Sequence, residues 1–400
     1  MKSIIYLGNF EFPFGNAAGK RVYANGKILR ELGYRVIFIG LSKNISSNDT
    51  LVSTKGIYDN FEFYNLPYPK KNIDWLKYKK TFNKVRDFIK GNKNDLDIKY
   101  LIYYGSPTLS IFNTKIITYC RKNSIKVVAD CVDWLTPNST SKIYNTIKTI
   151  DNTYQKALAN KKCDGVIAIS KFLENYYKEL KMKTALIPPL APNKFDKIEL
   201  KNNSNIVISY AGIPFKLDTK EIDPSKMKDR IDKIVELFTF VKETNNNFIL
   251  NIFGFNKEDY LNAIPNHIPY IESLAGNIKF HGYMNHEKII ENIRVSDFTI
   301  LVRDLKRDST AGFPTKISES ISCGIPVITN KSSDIDNYII EGKHGYFINS
   351  DKVEDASSKI IKILNTNPKQ ISKMKQECLT SEIFYYKSYI NSMEVFLNEI

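Results

Sequence analysis

The stretch from Ala311 to Asn330 constrains the fold most, because it has the order of a loop, a short helix, a tight stop and a buried strand. Pro314 suits the first turn of a helix, where its missing N–H is no loss. Gly324 can adopt the left-handed conformation that ends a helix, and Pro326 prevents the helix from continuing. The apolar residues after Pro326 predict a strand. The stretch is therefore typical of an α/β domain.

The amino terminus of this predicted helix is a candidate anion site. Its free backbone N–H groups attract anions, and phosphate above all. Lys316 adds a full positive charge, and Glu319 lies one turn further along on roughly the same face. A carboxylate beyond a phosphate site can accept hydrogen bonds from ribose hydroxyls. The pattern favours a nucleotide site, although an ordinary helix with a solvated Lys–Glu pair would share it.

The same stretch resembles a known family. Retaining GT-B glycosyltransferases of family 4, also called group 1, carry Gly-Phe after a first glutamate and a small-Cys-Gly-x-Pro-Val turn after a second. Gly312-Phe313 and the run from Glu319 to Val327 are similar to these two parts. Ala311 stands where the family has the first glutamate, which contacts the donor sugar. Arg303 and Arg307 suit a variant of the family in which arginine precedes Ala-Gly-Phe-Pro-Thr-Lys.

The resemblance implies the GT-B fold, an α/β architecture of two Rossmann-like domains facing each other across a deep cleft. The length of 400 residues agrees with two domains. We expect an acceptor-binding domain at residues 1–190 and a nucleotide-sugar-binding domain at 205–378. The resemblance also implies a carboxyl-terminal helix, at 379–400, that packs back on the first domain. The two α/β halves are the only internal similarity in the sequence.

The first glycine loop follows a predicted strand, Ser3–Gly8, and precedes a predicted helix, Val22–Leu32. Ligands of open α/β sheets bind at this end of a strand. The loop is not a P-loop, because three residues rather than four separate Gly15 from Gly19 and Arg21 replaces the Ser or Thr. The resemblance implies that this loop lies over the donor phosphates.

The net charge of +15 indicates an anionic partner. Nine basic and two acidic residues fall between positions 70 and 93, where apolar residues recur at helical spacing. We expect either a domain helix with a solvated basic face or a helix that meets an anionic membrane or a lipid-linked acceptor. Because the charge is concentrated in one segment, a nucleic-acid-binding protein is the weaker alternative, and we expect no nucleic-acid partner.

The location predicted from the sequence is cytoplasmic, either free or peripheral on the inner face of the plasma membrane. No apolar run reaches the roughly 18 residues of a spanning helix. Met1–Gly8 is too short and too quickly polar for a signal peptide. The five cysteines show no paired metal spacing. The pairs Asp95/Asp97 and Asp334/Asp336 are interpreted as turn residues, so we expect no metal and no cofactor.

The predicted function is a hexosyltransferase-type reaction that moves a sugar, with retention, from a nucleotide sugar to a glycan or lipid-linked acceptor. The setting would be bacterial surface polysaccharide or glycan biosynthesis. A nucleotide-sugar epimerase or hydrolase of the same fold is the alternative. The donor sugar, its base and the acceptor stay open.

Glycosyl transfer releases a diphosphate, so the enzyme must stabilise growing negative charge. Positive side chains and a helix terminus can do this without a metal. Asp133 is added as an acceptor-site candidate because it follows a predicted strand, Lys126–Asp130. The resemblance implies a lysine at a helix start that binds the donor diphosphate, and Lys228 is the best match, with Lys216 as the reserve. The catalytic candidates are therefore Arg303, Lys228, Lys316 and Asp133. The candidates for binding the nucleotide sugar are Gly19, Gly212, Lys216, Tyr283, Arg307, Gly312, Phe313, Pro314, Thr315 and Glu319.

Overall fold

The structure, a computed structural model, describes residues 1–13, 15–46, 48–69, 81–92, 95–105, 110–134, 142–198 and 205–400. The chain divides into two compact units. The first unit contains Met1–Pro192, Ala311–Phe313 and Tyr385–Ile400. The second contains Asn193–Thr310 and Pro314–Phe384.

Strands and helices alternate along most of the described chain. The strands are β1 Lys2–Gly8, β2 Arg35–Ser42, β3 Gly56–Tyr58, β4 Phe61–Pro67, β5 Asp97–Tyr104, β6 Lys126–Cys131, β7 Gly165–Ala168, β8 Lys183–Leu186, β9 Ile206–Ala211, β10 Phe248–Phe253, β11 Ile278–Phe280, β12 Phe298–Leu301, β13 Val327–Thr329 and β14 Gly345–Phe347. The α-helices are α1 Ala17–Glu31, α2 Thr81–Gly91, α3 Ser110–Lys122, α4 Lys142–Tyr154, α5 Lys171–Glu179, α6 Ile231–Thr244, α7 Lys257–Ala263, α8 Ile268–Ser273, α9 His286–Arg294, α10 Arg307–Ala311, α11 Thr315–Ser322, α12 Val353–Leu364, α13 Pro368–Thr380 and α14 Ile390–Glu399.

The first unit is built on an eight-stranded sheet with the order β3-β4-β2-β1-β5-β6-β7-β8. Every pairing is parallel except that between β3 and β4. Apolar clusters cover both faces of the sheet, as the near-continuous apolar runs of its strands require. Helix α14 joins one of these clusters through Met393, Phe396 and Leu397.

The end of the chain packs against elements from its beginning. The Tyr386 hydroxyl donates a 2.9 Å hydrogen bond to Glu31, and the Tyr100 hydroxyl donates one of 3.0 Å to the Leu397 carbonyl. The last helix is thus an integral part of the first unit.

The second unit is built on a six-stranded sheet with the order β11-β10-β9-β12-β13-β14, paired in parallel throughout. The chain runs outward in one direction from β9 and in the other from β12. The strand order therefore reverses between β9 and β12, and open α/β sheets bind ligands beside the carboxyl ends of strands at such a point. Gly212 follows β9, and Arg303 lies two residues beyond β12.

The short helix and the turn on which the sequence analysis depends are present. Helix α11 spans Thr315–Ser322, with Pro314 as its N-cap rather than inside its first turn. Gly324 has a φ of +78°, the left-handed stop that was predicted. Strand β13 follows and is buried.

The predicted start of α1 was wrong by five residues, because the helix begins at Ala17 instead of Val22. Asn16 caps it, and its side-chain oxygen accepts a 2.8 Å hydrogen bond from the Gly19 N–H. Gly19 and Arg21 therefore lie in the helix and not in the glycine loop.

Arg21 is buried and forms an ion pair with Asp130 of β6. Its Nη2 lies 2.7 Å from the Asp130 carboxylate, and its Nη1 donates to the Ile187 and Pro188 carbonyls at 2.9 and 3.2 Å. The Tyr6 hydroxyl donates to the same carboxylate at 2.5 Å. This network ties α1, β1 and β6 to the chain after β8.

The segment at 70–93 is only partly described, since residues 70–80 and 93 lie outside the described ranges. The described part forms α2. Its apolar residues Val85 and Ile89 are buried in the core of the first unit, at 0% and 3% exposure. In this described part, the apolar residues of the helix therefore belong to the hydrophobic core of the first unit.

We predict that Arg21→Met lowers the free energy of unfolding of the first unit by about 3–5 kcal/mol, because it leaves the Asp130 charge buried without its partner. Arg86→Met is the control, since the Arg86–Asp87 pair is exposed and worth about 0–1 kcal/mol. Tryptophan fluorescence during urea unfolding measures both, because Trp75 and Trp134 precede the second unit. Equal losses in the two variants would contradict the assignment.

Candidate functional site

The centre of the candidate site is a buried carboxylate in the second unit, that of Asp229. It follows the loop after β9 and comes two residues before α6. Its Oδ1 accepts a 2.7 Å hydrogen bond from Arg303 Nε, and its Oδ2 lies 2.6 Å from Lys316 Nζ. The Tyr210 hydroxyl donates to the same oxygen at 3.2 Å. We call these four residues the Asp229 cluster.

Each member of the Asp229 cluster comes from a different part of the sheet edge. Tyr210 is in β9, Arg303 follows β12, and Lys316 is in the first turn of α11. Asn330, just after β13, fixes the Arg303 backbone: its Oδ1 accepts from the Arg303 N–H at 3.0 Å, and its Nδ2 donates to the Arg303 carbonyl at 2.7 Å. The parallel sheet thus brings three distant segments of sequence to one point.

Asp229 is not paired with its sequence neighbour Arg230. The Arg230 guanidinium forms ion pairs of 2.6 Å with Asp232 and with Asp304. Because Arg230 pairs with those two carboxylates, the cations that pair with Asp229 are Arg303 and Lys316.

Burial alone raises the pKa of the Asp229 carboxyl, but the Lys316 ammonium and the Arg303 guanidinium outweigh it and hold that pKa well below its ordinary value. The carboxylate is therefore ionised at neutral pH. Two cations face one anion, so the cluster carries a net positive charge.

Arg303 has hydrogen-bonding capacity that the protein does not use. Its side chain is 5% exposed, and its Nη1 is buried with no hydrogen-bond partner in the described structure. A buried guanidinium N–H without an acceptor is costly, so this donor favours a ligand that can accept its hydrogen bond. An anion with paired oxygens, such as a phosphate, would satisfy it.

Gly212 keeps space beside the cluster. A side chain at Gly212 would collide with the Lys316 ammonium end and with the Tyr210 hydroxyl. The loop of Gly212 is fixed to the ends of neighbouring strands, since its N–H donates to the Phe253 carbonyl at 2.9 Å and the Gly254 N–H donates to the Gly282 carbonyl at 2.8 Å. Glycine here lets Lys316 reach Asp229.

Glu319 lies one turn after Lys316 and contacts His286. Its Oε1 is 3.1 Å from His286 Nε2, and the two side chains are 30% and 47% exposed. The carboxylate is therefore accessible near the amino terminus of α11, as a ribose-binding residue requires.

The other candidate residues are not members of the Asp229 cluster. Lys216, Lys228, Tyr283 and Arg307 have exposed side chains, and Tyr283 is 75% exposed directly after Gly282. Pro314 and Thr315 begin α11. Gly312 and Phe313 are buried and group with the first unit, as do Gly19 and Asp133. The structure thus joins Arg303, Lys316 and Gly212 at one place, and it leaves the roles of the remaining candidates as predictions.

The sequence analysis did not select Asp229, Tyr210 or His286. Asp229 stands between two basic residues, Lys228 and Arg230, in the sequence. An acid in this setting is ordinarily a solvated surface residue. A single Asp two residues before a helix start was the available signal, but its burial depends on contacts with distant residues.

Residues 225–378 match the family model described as glycosyl transferases group 1. This range includes Asp229, Arg303, Lys316 and Glu319. None of the curated proteins compared with the sequence matches it.

Solved structures resemble the fold over its whole length. Sucrose-phosphate synthase from Thermosynechococcus elongatus is 14% identical with a TM-score of 0.67, covering 100% of this chain and 99% of its own. Anabaena HepE in complex with UDP-glucose is 14% identical with a TM-score of 0.64, covering 100% of both chains. The pneumococcal O-GlcNAc transferase GtfA, in complex with UDP and GlcNAc, is 11% identical with a TM-score of 0.63, covering 100% and 99%.

These comparisons confirm the predicted α/β architecture of the GT-B type. The family match places a region similar to group 1 glycosyl transferases at residues 225–378, which lie in the second unit apart from Ala311–Phe313. In the described ranges, no helix combines the length and the hydropathy that a bilayer-crossing segment needs.

We predict that Asp229→Asn lowers the free energy of unfolding of the second unit by about 3 kcal/mol or more at neutral pH, because two cations lose their buried partner. A depressed carboxyl pKa contributes stability above the unfolded value of about 3.9 and loses it as the pH falls through the folded value. The difference in free energy of unfolding between the wild type and Asp229→Asn should therefore persist down to about pH 5 and shrink below about pH 4. Urea unfolding followed by circular dichroism at a series of pH values measures it.

Asp351→Asn is the control for that series, since Asp351 pairs with Lys233 but is 68% exposed. Its effect should stay within about 1 kcal/mol. A gap for Asp229→Asn that is no larger than this, or that does not depend on pH, would contradict the pairing.

Proposed function

We propose that the protein is a retaining glycosyltransferase that uses a nucleotide-diphosphate sugar as donor. The observation that carries this proposal is the buried Arg303 guanidinium with an unpartnered Nη1 in the net-positive Asp229 cluster. The diphosphate of the donor would bind there, at the amino terminus of α11. The crystallised neighbours that contain UDP or UDP-glucose support a nucleotide-sugar donor for this chain as well.

In this proposal the Asp229 cluster stabilises the leaving group. As the bond to the sugar breaks, negative charge grows on the departing diphosphate. Arg303 and Lys316 are held in place beforehand by Asp229, so little reorganisation is needed when that charge appears. Glu319 would accept hydrogen bonds from the ribose hydroxyls and fix the nucleotide along α11. Lys228 and Lys216 are further candidates for contact with the diphosphate.

Retention of the anomeric configuration is the stereochemical part of the proposal. No protein nucleophile is required if the leaving phosphate takes the proton of the acceptor hydroxyl on the same face of the sugar. The positive cluster would keep that phosphate beside the sugar while the acceptor attacks. Asp133, after β6, stays the candidate for the acceptor side.

The acceptor that we propose is a glycan or a lipid-linked glycan, in bacterial surface polysaccharide assembly at the cytoplasmic side of the membrane. The net charge of +15 supports a phosphate-bearing or membrane-associated acceptor. The group 1 match favours transfer over the epimerase or hydrolase alternative. Product analysis with donor alone separates the two, because a transferase needs the acceptor for turnover.

We predict that Arg303→Lys lowers the rate of transfer by about a hundredfold, or roughly 3 kcal/mol, with little change in affinity for the product nucleotide. Lysine keeps the charge but loses the paired N–H donors of arginine. Turnover and product-nucleotide affinity are measured on the same variant. Arg86→Lys is the control, because the Arg86 side chain is 40% exposed and belongs to the first unit. Wild-type turnover in Arg303→Ala would remove Arg303 from the site.

We predict that Glu319→Ala weakens nucleotide binding by about 10- to 100-fold, the value of hydrogen bonds to one charged group. His286→Ala should keep the affinity or raise it, because it frees Glu319 from its present contact. Isothermal titration with the product nucleotide measures both. Unchanged affinity in Glu319→Ala would exclude the ribose contact.

We predict that transfer continues in excess chelator, because in this proposal side chains and a helix terminus bind the diphosphate without a metal. The measurement is initial rate with and without chelator. Loss of activity that manganese restores would direct attention to Asp95/Asp97 and Asp334/Asp336.

A further inference from the structure

Helix α4 of the first unit carries an exposed apolar face. Ile147 and Ile150 are 61% and 64% exposed, and Leu158, in the wider helical turn that continues α4, is 51% exposed. Positions three apart share a face of a helix, and Leu158 returns to that face about three turns after Ile147. Single exposed apolar residues are ordinary, but three on one face form a patch that needs an explanation.

Two threonines of α4 use their hydroxyls within the helix. Thr146 and Thr149 are exposed, and their hydroxyls donate to the carbonyls of Lys142 and Asn145 at 3.0 and 2.8 Å. The hydroxyls are thus used within the helix, which reduces their demand for water.

The opposite face of α4 is the one that packs on the unit. Asn152 and Gln155 are buried, and the Gln155 side-chain oxygen accepts a 3.0 Å hydrogen bond from Asn113 of α3. Tyr154, at the end of α4, packs against the apolar core of the unit. Ile147 and Ile150 are exposed on another side of the helix.

Positive charge lies at one end of the exposed face. Residues 142–162 contain five lysines and one aspartate, and Lys161 and Lys162 are exposed in the last helical turn, Asn160–Lys162. An exposed apolar face bordered by lysines matches an anionic lipid surface, where the apolar side chains enter the headgroup boundary and the lysines meet lipid phosphates.

We propose that the face formed by Ile147, Ile150 and Leu158, together with Lys161 and Lys162, docks the protein on an anionic membrane. This face supplies the membrane contact for the lipid-linked acceptor in the function proposed above. It assigns that contact to α4, whereas the described part of the segment at 70–93 buries its apolar residues in the core.

The experiment measures sedimentation of the full chain with vesicles of phosphatidylcholine alone and of phosphatidylcholine mixed with phosphatidylglycerol. The wild type should bind the anionic vesicles and not the neutral ones. Ile147→Ser with Ile150→Ser should lower the partition coefficient by about tenfold or more, since burial of one isoleucine is worth roughly that factor. Lys161→Gln with Lys162→Gln should lower it by about fivefold per lysine.

The control is Phe240→Ser with Ile340→Ser, which removes apolar residues of 48% and 54% exposure from the second unit. Its vesicle binding should equal that of the wild type. Stabilisation by the donor nucleotide, measured on every variant, reports the donor site separately, so the membrane proposal and the proposed donor chemistry can fail independently.

Equal vesicle binding by Ile147→Ser/Ile150→Ser and the wild type would overturn the proposal. Absence of wild-type binding to anionic vesicles would overturn it as well. A wild-type dimer in solution that becomes monomeric in Ile147→Ser/Ile150→Ser would show that a second copy of the chain covers the face instead of a membrane.

Discussion

The candidate site depends on one buried carboxylate shared by two cations. Asp229 accepts from Arg303 and Lys316 at 2.7 and 2.6 Å, and these residues follow β12 and begin α11. Arg303, at 5% exposure, could not be held in place without a counter-charge, and the same carboxylate fixes the half-buried Lys316. At the same time one carboxylate does not neutralise two cations, so positive charge remains for a ligand. The pairing thus explains both how the site is ordered and why it attracts an anion.

The fold supports this interaction through the order of its strands. Because the second sheet reverses its strand order between β9 and β12, the segments after these strands meet beside the sheet. Gly212 leaves room there for Lys316, and Asn330 fixes the backbone of Arg303 through two hydrogen bonds.

Local sequence signals predicted much of this architecture. The order of loop, helix, left-handed glycine and strand around Pro314 and Gly324 was confirmed, as was the α/β class. The start of α1 was wrong because the cap Asn16 acts earlier than the glycines suggested. Asp229 could not be found in the same way. Its importance comes from burial and from partners 74 and 87 positions away, which no local pattern contains.

The central claim is that the Asp229 cluster binds the diphosphate of a nucleotide sugar. The most direct measurement compares the affinities for the nucleoside diphosphate product and for the corresponding monophosphate, in the wild type and in Lys316→Met. We predict that the wild type prefers the diphosphate and that Lys316→Met removes most of this preference while it keeps affinity for the monophosphate. The same preference for the diphosphate in Lys316→Met would contradict the claim.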